Sequence, residues 1–405
     1  MHIGYLTPEY VTPRRPEGGL ANYLQKAAWG VAARGHRVTV LVLSDRAASW
    51  KDGPVSVCEV PWVRLPAVLG KNRRGAQLLP VIRQALSCQR LARAVWQLHR
   101  HEPFDILQAS SYMAPGFALR GNRKVPVVCR VSSYSPMVRS AYGRRRAFAE
   151  YLSDWLEIRQ VLDATDAFAP SEFVAGVFER LEAYRPRVLR TPVEWVAPVA
   201  QDETFYQQHL SQFRYLLFFG TLSRIKGVDL LAEALPPVLA RHGDLRAVFI
   251  GRDDGMPGHA RAYDHIRARA GGVGDRVLYQ PAMPKAQLWP VIAHALGVLM
   301  PSRVDNYPNA CLEAQCLGVP VIGTTESSLE EMISDGETGF LARNGDAESV
   351  RDAIERLLAL TPEQRRQMQE RIQAAMAAIR AEDRIGQLLA FYAEAIARFR
   401  RTRAD

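Results

Sequence analysis

Two carboxylates, Asp305 and Glu313, stand with seven residues between them in the stretch PSRVDNYPNACLEAQCLGVPVIGT, residues 301–324. Carboxylates accept hydrogen bonds from hydroxyl groups such as those of ribose or a sugar. A helix is predicted to follow residues 306–309 and to end at Gly318. The unpaired N–H groups and the dipole of its first turn suit a phosphate. The combination predicts a site for a nucleotide sugar.

A second group of residues supplies positive charge. The strand predicted at residues 215–219 leads into the segment GTLSRIKG, residues 220–227, which holds Arg224 and Lys226 beside a helix start. Two cations at such a place suit a pyrophosphate, because guanidinium and ammonium groups donate several hydrogen bonds to phosphate oxygens. A surface pair of cations is the alternative interpretation.

The first half of the chain contributes a glycine pair and a serine. Gly18 and Gly19 open a predicted helix at residues 20–32, where the absence of a Cβ lets backbone approach a phosphate. A tight turn explains the same pair equally well, and the pattern is not the GxGxxG of dinucleotide sites. Ser132 follows the strand predicted at residues 125–131 and offers a hydroxyl that could hydrogen-bond a sugar.

The elements that must hold these residues alternate between strand and helix. Residues 3–6 and 38–43 are predicted strands on either side of the first helix, and the second, VTVLVL, is a continuous run of residues that favour strands, as in a parallel strand buried on both faces. Alternation of this kind indicates doubly wound parallel sheets. At 405 residues, the chain is long enough for two such domains.

The stretch DNYPN, residues 305–309, with the flanking PS, EA and GVPVI segments, resembles the retaining nucleotide-sugar glycosyltransferases of glycosyltransferase family 4. The resemblance is strong over residues 215–342 and moderate over residues 1–200. It implies that Glu313 binds the ribose hydroxyls and Asp305 the hydroxyls of the donor sugar. It also implies further donor-binding residues, namely Gly18, Gly19, Thr221, Met283, Asn306, Tyr307, Pro308, Asn309 and Ala310, with Met283 near the base.

The chain departs from this family at several places, among them Thr191 and Glu194, which stand for the usual Asn and Asp of an interdomain segment, and two positions that bear on catalysis. Many relatives carry a His near the reacting carbon where this chain has Ser132, and an Arg directly after the first Gly where it has Thr221. In this chain a basic residue appears instead at Arg224. The catalytic set implied is therefore Asp305, Glu313, Arg224, Lys226 and Ser132.

The fold that the resemblance implies is the α/β GT-B fold, in which two Rossmann-like doubly wound domains face each other across a cleft. We expect an acceptor-binding domain at residues 1–200 and a donor-binding domain at residues 201–381, with a helix at residues 382–405 crossing back to the first. The implied reaction moves a hexosyl group from a nucleotide diphosphate sugar to an acceptor hydroxyl with retention of configuration. We expect no cofactor and no metal, with the nucleotide sugar as co-substrate.

Charge is distributed unevenly along the chain. Residues 1–200 contain 28 Lys and Arg against 16 Asp and Glu, a net charge of +12, whereas residues 201–405 contain 24 against 26, or −2. The basic half favours an anionic partner such as a membrane surface, a lipid pyrophosphate or an acidic glycan, and a solvated basic surface explains the excess equally well. Nucleic acid ranks below these because no nucleic-acid motif accompanies the charge.

The remaining sequence features limit where in the cell we expect the protein to be. The five cysteines form no CxxC pair, no apolar run is long enough to span a membrane, and the N-terminus lacks a signal sequence. We expect a cytoplasmic protein, with peripheral association at the inner face of a membrane as an open alternative. The basic amphipathic segment at residues 61–100 and the arginines Arg139 and Arg144–Arg146 are the candidates for such a contact. A solvated helix face over an ordinary core is the alternative, and it is the favoured explanation for residues 61–100.

The expected partners are a UDP- or GDP-hexose and a glycan, lipid-linked or small-molecule acceptor, in polysaccharide or glycoconjugate biosynthesis. Two other functions stay open from the sequence. The first is a catalytically silent sugar-nucleotide-binding protein, which Ser132 in place of His permits. The second is a GT-B-fold sugar-nucleotide epimerase, which would act on the donor alone. The sequence does not distinguish the donor base, the sugar or the acceptor.

Overall fold

A computed structural model gives the positions of residues 1–11, 18–65, 73–192 and 201–402, with side chains described except at residues 73–77. The chain divides into two compact units. Unit 1 comprises Met1–Ser140, Arg145–Glu194 and Asp383–Asp405, and unit 2 comprises Ala141–Arg144 and Trp195–Glu382. The boundary predicted at residues 200 and 201 thus lies a few residues beyond the observed division, and residues from Asp383 onward belong to unit 1.

Unit 1 is built on an eight-stranded sheet in which every pairing but one is parallel. The strand order is β3-β4-β2-β1-β5-β6-β7-β8, and β3 pairs antiparallel with β4 at one edge. The strands are β1 (His2–Thr7), β2 (Arg37–Ser44), β3 (Ala48–Asp52), β4 (Val55–Pro61), β5 (Ile106–Ser110), β6 (Val127–Arg130), β7 (Asp166–Ala169) and β8 (Arg187–Val188). The helices are α1 (Gly19–Ala33), α2 (Arg73–His101), α3 (Ser135–Ala141), α4 (Phe148–Leu162), α5 (Glu172–Glu182) and α13 (Arg384–Arg401).

The last helix, α13, is part of the core of unit 1. Its apolar side chains, including Phe391 and Tyr392, join the hydrophobic cluster that β1, β2 and α1 form. The buried hydroxyl of Tyr392 donates to Oε1 of Gln108 at 2.5 Å, within the central strand β5. The polar tip of a buried tyrosine needs such a partner, so this bond fixes the helix against the sheet.

Unit 2 carries a six-stranded, wholly parallel sheet. Its order is β11-β10-β9-β12-β13-β14, which is the order of a Rossmann fold. The strands are β9 (Arg214–Phe219), β10 (Leu245–Ile250), β11 (Val277–Gln280), β12 (Gly297–Leu299), β13 (Val321–Thr324) and β14 (Gly339–Ala342). The helices are α6 (Thr204–His209), α7 (Val228–Arg241), α8 (Ala262–Ala270), α9 (Lys285–Ala293), α10 (Asn309–Cys316), α11 (Ala347–Leu358) and α12 (Pro362–Ala381).

Two doubly wound α/β units confirm the predicted fold class. The individual elements differ from prediction by a few residues at their ends. The largest difference near the site is β13, predicted at residues 319–322 and observed at Val321–Thr324. Pro320 has no N–H to donate to a neighbouring strand, so the strand begins at the next residue, Val321. Over the described ranges, no helix is long and apolar enough to cross a membrane.

Candidate functional site

The strand order of unit 2 reverses between β9 and β12, which are hydrogen-bonded neighbours. In open parallel sheets, ligands bind beyond the carboxyl ends of the strands at such a switch point, because the following loops diverge there. The loop after β9 carries Arg224 and Lys226, and the loop after β12 carries Asp305. The fold therefore brings these predicted residues, which lie about eighty positions apart in sequence, to one edge of one sheet.

Lys226 and Asp305 are in direct contact. Nζ of Lys226 lies 2.7 Å from Oδ2 of Asp305, and the Ser302 hydroxyl donates to the same oxygen at 2.9 Å. The carboxylate is 9% exposed, whereas the lysine is 33% exposed. A nearly buried carboxylate needs such donors, because an unpaired buried charge is costly. The pair therefore places a positive group from the loop after β9 next to a negative group from the loop after β12.

Gly227 permits the close approach of these two loops. Its φ is 73°, and a Cβ built on it would lie 1.9 Å from the carbonyl oxygen of Pro301. Glycine adopts this conformation without strain, and any Cβ here would displace the backbone of one of the two loops. The GTLSRIKG segment therefore needs its second glycine in order to pack against the loop that holds Asp305.

Residues 306–310 continue from Asp305 into the helix. Tyr307 is buried, has a φ of 54°, and donates its backbone N–H to the Ser328 hydroxyl at 2.6 Å. The same hydroxyl donates to the backbone oxygen of Asp305 at 3.1 Å. Ser328 thus holds an unusual backbone turn in place. Of the segment, Tyr307 and Pro308 are buried, and the half-exposed members are Asn306, Asn309 and Ala310.

The helix α10 starts at Asn309 without a side-chain cap on its backbone N–H groups. Glu313 lies one turn later and is half-buried, and its Oε1 lies 3.6 Å from Nζ of the exposed Lys285. The helix predicted after residues 306–309 is therefore present, with Glu313 one turn along it, and the roles assigned to these residues stay predictions. Within the described ranges, no group of three or more His, Cys, Asp or Glu side chains is arranged to hold a metal ion.

Arg224 is held differently from Lys226. One guanidinium nitrogen donates to the backbone oxygen of Ala141 at 2.6 Å, in the short segment grouped with unit 2, and Nε lies 3.6 Å from Asp229. Asp229 also accepts from Nη1 of Arg303 at 2.5 Å. The charge of Arg224 is thus shared with protein acceptors, while Lys226 meets the carboxylate of Asp305.

Two further predicted donor-binding residues differ in accessibility. Thr221 is half-buried directly after β9, whereas the Met283 side chain is buried in the hydrophobic cluster of unit 2. A ligand at Met283 could therefore meet its backbone but not its side chain. The role of Met283 near the base stays a prediction.

Gly18 and Gly19 lie in unit 1 at the start of α1. Gly18 has a φ of 153°, and its carbonyl accepts the N–H of Asn22, the first bond of the helix. A Cβ on Gly19 would meet nothing within 4 Å. The local packing therefore does not require glycine at position 19, so the demand for a small residue there would have to come from a ligand.

Ser132 lies just beyond β6 and is held by two neighbours. Its backbone N–H donates to the Ser111 hydroxyl at 2.9 Å, and its own hydroxyl accepts from Nη1 of Arg130 at 3.3 Å. Arg130 is buried, and its guanidinium lies 3.6 Å from the centre of the Tyr23 ring. Burial lowers the pKa of Arg130. Over the described ranges, no carboxylate pairs with it.

Several residues that hold the site were not predicted. Ser302 and Ser328 orient Asp305, and Arg303 and Asp229 link the two loops through the bond described above. Ser302 belongs to the PS pair that the sequence analysis noted only as a flanking motif. Ser328 lies 23 residues beyond Asp305, and nothing in its local sequence predicts this contact.

Comparison with known families covers both units. Residues 18–194 match the family described as "Glycosyl transferase 4-like domain", and residues 213–360 match "Glycosyl transferases group 1". A D-inositol 3-phosphate glycosyltransferase from Acidothermus cellulolyticus is 26% identical over 373 residues, which is 84% of this chain and 78% of that protein. Further relatives of the same name match over 33% to 44% of their own length.

Solved structures share the fold across nearly the whole chain. Sucrose-phosphate synthase from Thermosynechococcus elongatus has a TM-score of 0.78 at 18% identity, covering 98% of this chain and 99% of that one. HepE from Anabaena, in complex with UDP, has a TM-score of 0.67 at 18% identity, covering 98% and 100%. With glycosyltransferase families matched in both units, the predicted resemblance is confirmed, and the chain belongs to the family-4-like glycosyltransferases of the GT-B fold.

Proposed function

We propose that this glycosyltransferase moves a hexosyl group from a UDP- or GDP-sugar to an acceptor hydroxyl with retention of configuration. The observation that carries the proposal is the contact of Lys226 with Asp305 at the switch point of unit 2, beside the start of α10. A cation, a carboxylate and the positive end of a helix dipole together suit the phosphate and sugar parts of such a donor. That HepE was solved with UDP supports a uridine nucleotide.

Each residue has a proposed role. Lys226, Arg224 and the α10 N-terminus would stabilise the charge that develops on the leaving nucleotide diphosphate, the main electrostatic requirement of this reaction. Glu313 would accept hydrogen bonds from ribose hydroxyls, and Asp305 from the donor sugar. Ser132 would hydrogen-bond a sugar hydroxyl. Gly18 and Gly19 would allow backbone to approach the donor.

The chemical step exchanges one bond for another at the anomeric carbon. The bond from that carbon to the phosphate oxygen breaks, and a bond to the acceptor oxygen forms on the same face. The acceptor proton passes to the departing phosphate, which leaves as the nucleotide diphosphate. No protein nucleophile is assigned, so the protein acts by positioning and charge stabilisation. The step requires no metal, and activity in the presence of a chelator would test that expectation.

The acceptor is proposed only as a class. A sugar phosphate or a glycan is favoured, because relatives named for inositol phosphate and sucrose phosphate share the fold or sequence. The buried, carboxylate-free Arg130 beside Ser132 is compatible with an anionic acceptor. Peripheral association of the basic unit 1 with a membrane is proposed as well, and a lipid-linked acceptor would fit it.

A thermal-shift screen of UDP-, GDP- and ADP-sugars tests the donor assignment, because a ligand that binds the native state raises the melting temperature. We expect a shift with one nucleotide class that disappears in Glu313→Ala. Transfer of labelled sugar to an acceptor would then exclude the silent binding protein, and conversion of donor without acceptor would instead indicate an epimerase. Protein that no nucleotide sugar stabilises would overturn the proposal.

A further inference from the structure

The helix α4 in unit 1 packs Leu156 and Val161 inward, but it also buries two acids and exposes a row of aromatic side chains. Phe148, Tyr151 and Trp155 point to solvent and are 59%, 53% and 53% exposed, at the three- and four-residue spacing that puts them on one face. The opposite face buries Asp154 and Glu157. An ordinary surface helix does the reverse, so this outward aromatic row, here termed the aromatic face, needs an explanation.

The buried acids of α4 are fully occupied inside unit 1. Asp154 forms ion pairs with Arg139, at 2.7 Å, and with Arg146. Glu157 accepts from the Met113 backbone N–H at 3.2 Å and from the Ser135 hydroxyl. The remaining acid of the helix, Glu150, caps its start by accepting the Ala147 N–H at 2.7 Å. No carboxylate of α4 is therefore left to oppose an anion at the aromatic face.

Cations flank the aromatic face instead. The guanidinium of Arg146 lies 4.0 Å from the centre of the Tyr151 ring. Phe117 lies 5.8 Å from Trp155, and Arg120 stacks over Phe117 at 3.7 Å. Each of these arginines also pairs with a carboxylate, Arg146 with Asp154 and Arg120 with Asp163. The uncompensated positive charge beside the aromatic face therefore has to come from the neighbouring helix α2.

The neighbouring helix α2 also combines exposed apolar side chains with positive charge. It packs against α4 through Val81 and Leu156 and exposes Ile82 and Leu86. Its sequence, residues 73–101, contains six arginines and no Asp or Glu. The two packed helices therefore combine exposed apolar side chains with an excess of positive charge.

We propose that the aromatic face of α4, with α2 beside it, docks on a lipid bilayer that carries anionic headgroups. The inference deepens the proposed membrane association by naming the surface, and it rests on that part of the proposed function. Aromatic side chains enter the interface between headgroups and acyl chains, and arginines bind the phosphates of anionic lipids. Stable attachment of a peripheral protein needs both contributions, and this surface supplies both.

Charge favours the bilayer over the other occupants of such a surface. A second copy of the chain would bring two positive, acid-poor surfaces together, which is unfavourable. A neutral glycan could stack on the rings but would gain nothing from the arginines. An anionic bilayer alone uses the aromatic row and the surrounding charge at once.

Co-sedimentation with vesicles tests the proposal. The full chain would be mixed with vesicles of phosphatidylcholine alone and of phosphatidylcholine with phosphatidylglycerol. We expect binding to the anionic vesicles only, and at least roughly tenfold weaker binding for Phe148→Ser/Tyr151→Ser/Trp155→Ser. The control is Leu181→Ser, which removes a side chain 61% exposed on α5 and should bind as the unaltered protein does. Because all four side chains are exposed, the variants should melt at nearly the same temperature.

Three results would overturn the proposal. In the first, the unaltered protein stays in the supernatant with anionic vesicles. In the second, the triple variant binds these vesicles as well as the unaltered protein does, and in the third it loses only self-association or glycan binding. The assay contains no donor and no acceptor, so its result does not depend on whether the protein transfers a glycosyl group. Transfer to a water-soluble acceptor by the triple variant should be unchanged, which separates docking from catalysis.

Discussion

The two candidate regions, one in each unit, satisfy their buried polar groups differently. In unit 2, Asp305 is neutralised by Lys226 and oriented by Ser302, so the donor-side charges are balanced within the protein. In unit 1, Arg130 is buried beside Ser132 with no carboxylate partner in the described ranges, and its Nε and the Tyr23 hydroxyl lack well-aligned hydrogen-bond partners there. Among the described residues, the buried carboxylate of unit 2 thus has a cation as partner, whereas the buried cation of unit 1 has no carboxylate.

This difference suggests where selectivity resides. A pre-paired site offers the same groups to any nucleotide sugar of the right shape, since the protein has already fixed their positions. An incompletely paired buried cation rewards a ligand that supplies the missing anion and penalises one that does not. We therefore expect recognition of the donor's base and ribose to depend on unit 2, and discrimination between acceptors to depend on unit 1.

The largest effect is expected from removing both donor-side cations. Arg224→Ala with Lys226→Ala should lower kcat by roughly a thousandfold, because charge on the leaving diphosphate would lose its stabilisation. The measurement is steady-state transfer under saturating donor. Arg343→Ala, which removes an arginine 74% exposed elsewhere in unit 2, is the control and should leave kcat unchanged. Undiminished turnover in the double variant would assign the pyrophosphate to other residues.

The next effect tests how tightly the unit 2 loops are packed. Gly227→Ala should lower the free energy of unfolding by about 3 kcal/mol, since the new Cβ meets the Pro301 carbonyl and the backbone has a positive φ. Gly19→Ala is the matched change in unit 1, and because its Cβ is unobstructed we expect a change within about 1 kcal/mol. Denaturant unfolding measures both. Equal destabilisation would contradict the proposed contrast between the two glycines.

A change at Glu313 tests how much the ribose contacts contribute to donor affinity, separately from the pyrophosphate contacts. Glu313→Ala should weaken binding of the nucleotide sugar by roughly thirtyfold, or about 2 kcal/mol, through loss of hydrogen bonds to the ribose. Titration calorimetry gives the affinity directly. Glu337→Ala, a change to an exposed acid in the turn before β14, is the comparison. Unchanged affinity in the first variant would remove the ribose role from α10.

The smallest effect separates the two units. Ser132→Ala should lower kcat by about tenfold through loss of one hydrogen bond, while the affinity for the nucleotide diphosphate stays the same. Ser133→Ala, one residue further along, should behave as the unaltered protein does. If Ser132→Ala instead weakened nucleotide binding, the assignment of nucleotide recognition to unit 2 alone would be wrong.

The site could be predicted from sequence only as far as local patterns extend. Asp305 and Glu313 were found because their spacing, the following helix and the Gly stop all lie within one short stretch. Ser328 was missed because its contact with Asp305 depends on how the chain returns after β13. Arg303 was missed for a similar reason, since its partner Asp229 lies 74 residues earlier. The proposed catalytic roles stay predictions.

The basic segment of the first half shows a further limit. Periodicity indicated an amphipathic helix within residues 61–100, and a helix is observed at Arg73–His101. The same pattern gave no sign that α4 turns its aromatic row outward. That orientation depends on Arg139 and Arg146, which supply the partners that allow Asp154 to be buried.

The sequence by itself determined the α/β class, the two-domain organisation, the family, and the types of residue at the candidate donor site. The class follows from periodicity and the two domains from chain length. The family and the site residues follow from the resemblance of the DNYPN stretch and its flanking segments to known glycosyltransferases. Only the tertiary structure decided that Lys226 meets Asp305, that Arg130 is buried beside Ser132, and that α4 exposes its aromatic side chains. The physical reason is that burial and charge pairing depend on strand order and loop packing, which join residues far apart in the chain.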